Sequence, residues 1–492
     1  MTEKTQVLIV GAGPCGLATA CLLLRTGVGV RVLEAAAKPS TGSRAIVLWP
    51  PTLEILRDVG VLDEVDEMGF RCRALNYHLS GGRTVRVALD AASRPLILQQ
   101  DRTNRVLEEQ LERLGGRVER STRVTDVAAT DDLVTVKATG PDGPELIEAD
   151  WLVGADGVGS KVRERLGIEF PGEHIPSTAL LTEGRMHGDL DRNELHYVLG
   201  TKGALVCAPL PGGTVRVSAG IAPDTPLTPE TVQRLLDVHD RGLRMSDLDA
   251  VTSFTSQERI AAQYREGRVF LVGDAAHTHS PLGGQGLNLG LQDVRNLVWK
   301  LAGVIQGRLA PAVLDTYDVE RRQAAEEVVR FTGRMTRMAV LPPAAARVRN
   351  AVWSGLQRTG VLRRFYAPTL AGWRARCPDV LFGTPAVPER GRPQLRPRRL
   401  PGPGTRTPHW VPAPRPEAGI THLRLLTTGG ELARRAAEMA GRRPDLVVHE
   451  QVPLPGRGPG FLLLRPDGFV AAGGREAGEV ARAERLLERL AA

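Results

Sequence analysis

The chain has 492 residues, enough for about three domains at roughly 150 residues each, and its hydrophobic share of 42% supplies several cores. A formal charge of +8 and a pI near 9.6 come mainly from arginine, but aromatics make up only 4% and no basic stretch is interleaved with stacking rings, which excludes a nucleic-acid binder. Five cysteines without a CxxC pair exclude a disulfide framework and point to a reducing cytoplasm. Apolar runs such as residues 17–24 fall short of the ~18 needed to span a bilayer, and the N-terminus carries no leader pattern, so no membrane partner is expected.

In chain order, residues 7–10 predict a strand, 17–24 a helix and 28–33 a second strand, one βαβ unit that implies a parallel sheet. Gly11-Ala12-Gly13-Pro14-Cys15-Gly16 joins the first strand to the helix. In such a loop the first glycine makes the tight turn, the second lets backbone approach a pyrophosphate, and the third packs helix on strand, while the helix amides attract the phosphates. Glu34 closes the second strand 18 positions after Gly16, where a carboxylate can accept both ribose hydroxyls of an adenosine and repels a 2′-phosphate. This site takes FAD or NAD, and the motif alone does not choose between them.

Residues 74–98 read as short β segments turning at Gly81-Gly82, and Gln100 and Arg102 open a helix with Val106, Leu107, Leu111 and Leu114 on one face. Residues 118–155, Val124 among them, read as strands ending in Trp151-Leu152-Val153, and residues 174–255 are β-rich, as at Leu205-Val206-Cys207 and Val215-Arg216-Val217, which suits a substrate-facing sheet. A buried-type strand at 269–272 closes on Gly273-Asp274-Ala275-Ala276-His277, followed by Pro281-Leu282-Gly283-Gly284-Gln285-Gly286-Leu287-Asn288 and a helix bearing Leu291, Val294, Val298 and Leu301. This segment selects FAD: a second carboxylate beside a second helix N-terminus suits a ribityl chain, a Gly-rich loop can lie flat beside a ring, and NAD has no moiety that would use either.

The expected organisation is α/β: a discontinuous Rossmann-like FAD-binding domain (1–75, 99–173 and 268–340), a β-sheet substrate domain (76–98 and 174–267), a helical connector (341–395) and a small α/β domain (396–492). The stretch 385–417, rich in Pro, Arg and Gly, reads as a semi-rigid link to that last domain. No fixed-period repeat is present.

With Leu152-Val153-Gly154-Ala155-Asp156-Gly157-Val158-Gly159-Ser160 between them, the motifs stand in the order and spacing of a known family over about residues 5–335. They resemble the single-component FAD monooxygenases related to para-hydroxybenzoate hydroxylase. The resemblance implies that Asp156 and Gly157 serve both FAD and NAD(P)H, that Arg44 lies near the FAD phosphates and ring, and that Gln100 and Val124 contact FAD. Pro281, Gly284 and Gly286 shape the loop, and the amides of Leu287 and Asn288 face flavin charge. The implied activity consumes NADPH or NADH as a transient reductant and O₂ as co-substrate, and delivers OH to an aromatic small molecule from a C4a-hydroperoxide of tightly but non-covalently bound FAD. Only one complete dinucleotide fingerprint exists, so the nicotinamide has no Rossmann domain of its own.

The connector and terminal unit resemble those of hydroxylases acting on phenols and polycyclic aromatic polyketides, enzymes of bacterial antibiotic biosynthesis whose extra domain is thioredoxin-like. No cysteine follows Cys377, which excludes a redox role for this tail and leaves packing or a homodimer contact. No protein nucleophile is required, because the flavin is the reactive group. A substrate phenol needing a base has His187, His196, Tyr197 and Tyr264 as candidates near the substrate sheet. His277 and His279 form an i,i+2 pair without a third ligand, so no metal is expected. Alternatives are a Baeyer–Villiger or epoxidising variant of the scaffold and a flavin-bearing binding protein without turnover. A flavin halogenase would carry WxWxIP, which none of the six tryptophans supplies.

Overall fold

The computed structural model describes residues 4–40, 45–200, 203–238, 242–378, 381, 400–414, 419–455 and 458–491. Strand β1 (Lys4–Val10) lies between β2 (Val30–Leu33) and the strand Gly143–Gly154, parallel to both. Val269–Leu271 extends the sheet in parallel beyond 143–154, and Val118–Glu119 beyond β2. Val7, Leu8, Ile9, Leu152 and Phe270 are fully buried, as parallel strands covered on both faces must be. Helix α1 (Pro14–Arg25) covers one face together with the long helix Gly286–Ile305.

A second sheet is assembled from two excursions of the chain. Its order runs His277–Thr278, Thr252–Ile260, Gly172–His187, Val215–Ile221, Ala204–Pro209, Leu195–Leu199, Ala74–Leu79, Arg83–Ala88. The 74–88 hairpin, turning at Gly81 and Gly82 in left-handed conformations as expected, joins through a parallel pairing of Leu75, Tyr77 and Leu79 with Leu195, Tyr197 and Leu199. Strand alternation puts these six on one face, packed against helix Asp315–Ala339 and the segment 362–373, and sends His78 and His196 to the other. His277–Thr278, the end strand, leads directly into the Gly-rich loop. The sheet and the dinucleotide fold therefore meet at that loop.

The terminal unit is a four-stranded sheet in the order Val447–Gln451, Leu423–Thr428, Gly460–Leu464, Val470–Gly474. The first pair is parallel, joined by helix Glu431–Gly441; the other pairs are antiparallel, and Ala477–Leu490 closes the unit. Leu425, Ala436, Leu446, Phe461, Leu487 and Leu490 belong to the same apolar core as β1 and α1, and the Ala310 amide donates to the Leu490 carbonyl at 3.0 Å. Most of the predicted linker lies outside the described residues, and the unit on its C-terminal side shares a continuous core with the cofactor fold. No helix among the described residues is long and apolar enough to cross a membrane.

Candidate FAD and substrate site

The three glycines of the first loop differ sterically as their spacing predicts. Gly11 has φ +103°, and a Cβ there would lie 2.4 Å from the Ala155 carbonyl oxygen; a Cβ on Gly16 would lie 1.9 Å from the Gly11 carbonyl oxygen. A Cβ on Gly13 would meet nothing within 4 Å, because this glycine borders a cleft of about 430 Å³ lined by Ala12, Glu34, Ala36, Lys38, Asn104 and Arg120 among others. Pro14 opens α1, and Gly13 caps it without a side-chain bond, so the first amides point at the space an anion would fill. Glu34 accepts the Ala12 amide on Oε2 and the Ala36 amide on Oε1, each at 2.8 Å. The carboxylate is thus fixed by backbone, and each oxygen keeps a second lone pair toward the cleft.

Asp156 takes the amides of Lys161 (2.7 Å) and Val162 (3.1 Å) on Oδ2, while its Oδ1 is buried without a partner. Burial pushes its carboxyl up. Gly157, at φ +76°, turns the chain beside it, and Arg163 donates to the carbonyls of Val158 and Ala275, each at 2.8 Å. The two Asp-Gly and Gly-Asp turns are therefore tied together by one guanidinium. Asp156 stands against the Gly11 turn, and an orphaned acceptor there fits a ligand that brings donors, as FAD does.

Asp274 is exposed at the end of Val269–Leu271. Gly273 before it has φ +62°, and a Cβ there, or on Gly290, would lie 2.7 Å from the Cys15 sulfur, so strand end, loop and both helices are in van der Waals contact. Behind them stands a network that sequence reasoning missed. Asp293, fully buried, accepts from the Gly273 amide (3.1 Å), pairs with His277 Nε2 (2.7 Å) and accepts from Arg321 Nε (2.7 Å). Burial alone would raise this carboxyl, but His277 and Arg321 hold it below the usual range. The signal for it in the sequence is one aspartate inside the otherwise apolar stripe of Leu291, Val294 and Val298.

The loop from Pro281 bends at Gly283 (φ +89°) and Gly284 (φ +60°) and ends at Gly286, the first residue of its helix, with no side-chain cap from Gln285. The Leu287 and Asn288 amides thus belong to an uncapped helix start. The Asn288 side chain is committed elsewhere: it accepts from Trp49 N and Thr52 Oγ1 (2.7 Å each) and donates to the carbonyls of Val47 (2.8 Å) and Gly284 (2.7 Å), locking the loop. The Gln100 side chain accepts the Ala45 amide (3.2 Å), and its backbone amide donates to the Ala45 carbonyl (3.0 Å), fixing the backbone next to Arg44, which itself lies outside the described residues. Val124 is buried in the core, pairing across the ladder with Ala138, and is not among the residues that line the cleft.

Facing the loop is an aromatic wall. Tyr77 stacks on Tyr197 (5.0 Å, 14°), meets Trp353 edge-on (4.9 Å), and hydrogen-bonds Tyr366, hydroxyl to hydroxyl, at 2.7 Å. Leu282 and Met335 join this cluster to the loop. Burial raises the Tyr77 and Tyr197 phenols well above their usual range and Tyr366 to about 12, so they stay protonated. Among the sequence candidates for a base, Tyr197 is part of this wall but is no base. His196 points away, bonded to His78 (3.0 Å) and the Asp191 carbonyl (2.9 Å); His187 is exposed beside Ser246 (2.8 Å); Tyr264 is buried in the dinucleotide fold against His277 and Tyr317. His279 donates from Nδ1 to the Ser280 carbonyl (2.8 Å), and burial lowers it to about 4.

Residues 4–332 match the family model described as an FAD binding domain. The chain belongs to the FAD-dependent aromatic monooxygenases. It is 34% identical over 502 residues to 12-dehydrotetracycline 5-monooxygenase/anhydrotetracycline 6-monooxygenase of Streptomyces rimosus, covering 95% of each chain. It is 37% identical over 359 residues to 6-methylpretetramide 4-monooxygenase of the same species, a match that covers 70% of this chain and 64% of that relative. Among solved structures, the OxyS anhydrotetracycline hydroxylase of Streptomyces rimosus superposes with a TM-score of 0.78 at 29% identity over 99% of both chains. A ternary complex of aklavinone-11 hydroxylase with FAD and aklavinone superposes with a TM-score of 0.75 at 27% identity, again over 99% of both. The cofactor of this monooxygenase family is FAD, and the steric pattern of Gly11, Gly13 and Gly16 accommodates it.

Proposed function

We propose that this monooxygenase inserts one oxygen atom from O₂ into a phenolic or polycyclic polyketide substrate, consuming NADPH or NADH, in bacterial secondary metabolism. The observation that carries this reading is the aromatic wall of Tyr77, Tyr197, Trp353 and Tyr366 meeting the flavin loop at Leu282 and Met335. Flat rings stack on flat rings at little cost in side-chain entropy, and Leu282 and Met335 carry the wall onto a loop bent at two left-handed glycines. Two of the relatives that cover 95% or more of this chain carry the names of a 12-dehydrotetracycline/anhydrotetracycline monooxygenase and an anhydrotetracycline hydroxylase, which supports the substrate class.

Bound FAD, held at Gly13, Glu34, Asp156, Asp274 and the amides of Leu287 and Asn288, supplies the activation of O₂ once reduced. The chain's own residues do the rest. The apolar cluster excludes water from the reacting centre. Tyr366 and Tyr77 stay protonated and share one hydroxyl-to-hydroxyl bond, so the pair has a single proton left to offer a substrate oxygen, and none of the four sequence candidates for a base combines position with basicity. We read residues 396–492 as thioredoxin-like in topology, supported by the strand order and the senses of its pairs, with the domain limits that the sequence predicts. Cytoplasmic residence is supported by five free cysteines; a homodimer is part of the same proposal.

A second reading has a specific basis. Dialkyldecalin synthase of Streptomyces rugosporus is 33% identical over 477 residues, covering 94% of this chain, so the scaffold also serves a protein named for a synthase. One experiment separates the two: NADPH oxidation by the flavin-loaded protein with a panel of phenols and polycyclic quinones, with product mass. Ligand-stimulated oxidation and a product heavier by one oxygen atom establishes oxygenation, and mass with fragmentation distinguishes hydroxylation from ring insertion. Product formation of unchanged mass without NADPH consumption establishes the synthase reading.

A further inference from the structure

The terminal unit touches the cofactor fold through charges that water does not reach. Glu320, on helix Asp315–Ala339, accepts from Lys300 Nζ (2.8 Å) and Asn296 Nδ2 (2.7 Å) of the flavin-loop helix and from both terminal nitrogens of Arg465 (2.8 and 2.7 Å) in the terminal unit. Asp467 accepts from Arg465 Nε (2.9 Å) and from Asn296 Nδ2 (2.7 Å). All five side chains are buried. A second knot lies nearby: Arg406 and Arg295 share Glu54 Oε2 at 2.8 and 2.7 Å, and Arg295 also reaches Asp58 at 2.9 Å.

These knots lie on the two helices that frame the flavin loop. Helix Pro50–Val59, which carries Glu54, begins where Trp49 N and Thr52 Oγ1 clamp Asn288. Helix Gly286–Ile305 carries in succession Asn288, Asp293, Arg295, Asn296 and Lys300. Glu320 in the terminal knot is followed in sequence by Arg321, the partner of Asp293 that in turn holds the Gly273 amide. A packed interior responds to displacement by switching between discrete arrangements rather than by stretching. Two rigid helices thus connect Arg465 and Arg406 to the loop, though neither arginine touches it.

We propose that the terminal unit is a positioning element of the cofactor site: Arg465, Asp467 and Arg406 hold the two framing helices in the arrangement that binds FAD. The inference rests on the FAD site described above. Coupling of this kind is reciprocal, so FAD must in turn stabilise the terminal unit. The test uses the full chain with and without FAD. In wild type, amide hydrogen exchange of residues 460–474 slows when FAD is added, though the cofactor lies elsewhere. The charge-free pair Arg465→Met with Asp467→Leu leaves no buried charge unmatched, because Glu320 and Lys300 remain paired with each other. Its FAD Kd rises by about tenfold and its bound-flavin absorption envelope shifts, while Arg435→Ala on the exposed face of the same unit changes neither. Exchange at 460–474 that ignores FAD overturns the proposal, as does a folded double variant with wild-type FAD affinity and spectrum. Failure of FAD to bind wild type at all would strike the cofactor reading instead, and it is seen in the same titration.

Discussion

The two ends of the active site are built on opposite plans. At the nucleotide end the work is done by backbone and by carboxylates fixed by backbone: Gly13 open to the cleft, Glu34 pinned by two amides, Asp156 by two more. At the aromatic wall, the proposed substrate end, it is done by large side chains brought from four places, Tyr77, Tyr197, Trp353 and Tyr366. The first plan tolerates almost no change in shape, since a methyl group added at Gly11 or Gly16 meets main chain and one added at Gly13 enters the cleft. The second tolerates changes of surface, since rings can be exchanged without moving the sheet, which is how one scaffold can serve varied aromatic substrates.

The sharpest break in that comparison is Gly16→Ala. Its Cβ would stand 1.9 Å from a carbonyl oxygen, a clash no rotamer relieves, so the turn must open; overpacking typically costs about 1–3 kcal/mol and more against backbone. The purified variant is expected to be colourless. Gly13→Ala should instead fold with near-wild-type thermal stability and lose only FAD affinity, measured by fluorescence titration; equal behaviour of the two variants would refute the division of labour among the glycines. Asp293→Ala comes next, leaving Arg321 buried without its partner at a cost of about 3–5 kcal/mol, read from the urea midpoint. The folded carboxyl of Asp293 lies below its unfolded value, so its contribution is complete above about pH 4 and is lost as pH falls through the lower, folded value. Asp293→Asn should therefore lose less stability than wild type on acidification through that window.

The same contrast decides what is legible in the sequence. The nucleotide end is local: strand, glycines and helix adjoin, and one steric reason fixes each residue, so Gly11, Gly16, Glu34 and Gly273 stand where the motifs put them. The β excursions at 74–98 and 174–255 are also readable from alternation. Their union into one sheet is not, because the parallel pairing of 74–79 with 195–199 joins strands more than a hundred positions apart and leaves no short-range mark. For that reason His196 reads as a candidate base, although its strand register turns it away from the wall. Trp353 and Tyr366 carry no signal within a segment that reads only as helical connector. Asp293 escapes notice because it lies within a helix that apolar periodicity already explains, and the partners that keep its charge buried, His277 and Arg321, lie in other segments.

Tyr366→Phe tests the substrate end at moderate amplitude. It deletes one hydroxyl and keeps the ring, so the wall stays packed and the Tyr77 hydroxyl loses its partner; a net hydrogen bond is worth about 1 kcal/mol, roughly fivefold in an equilibrium constant. With a substrate identified by stimulated NADPH oxidation, KM should rise by that factor with FAD affinity untouched. A variant that lost FAD and kept KM would place Tyr366 at the cofactor instead.

The smallest effect is expected at His187, and it is informative because it is small. This residue ends the strand Gly172–His187, exposed, with Ser246 as its partner. On sequence it is as eligible a base as His196 or Tyr197. In the fold it lies on the far part of the sheet, next to the edge strand Arg244–Ser246, with the whole of the Leu180, Val217 and Val232 core around that end of the molecule. His187→Ala should change stability by no more than about 0.5 kcal/mol and leave kcat/KM and its pH profile as in wild type. A fall of tenfold or more would mean that substrate binds against this end of the sheet and that the aromatic wall is merely core, reversing the contrast between the two ends of the site.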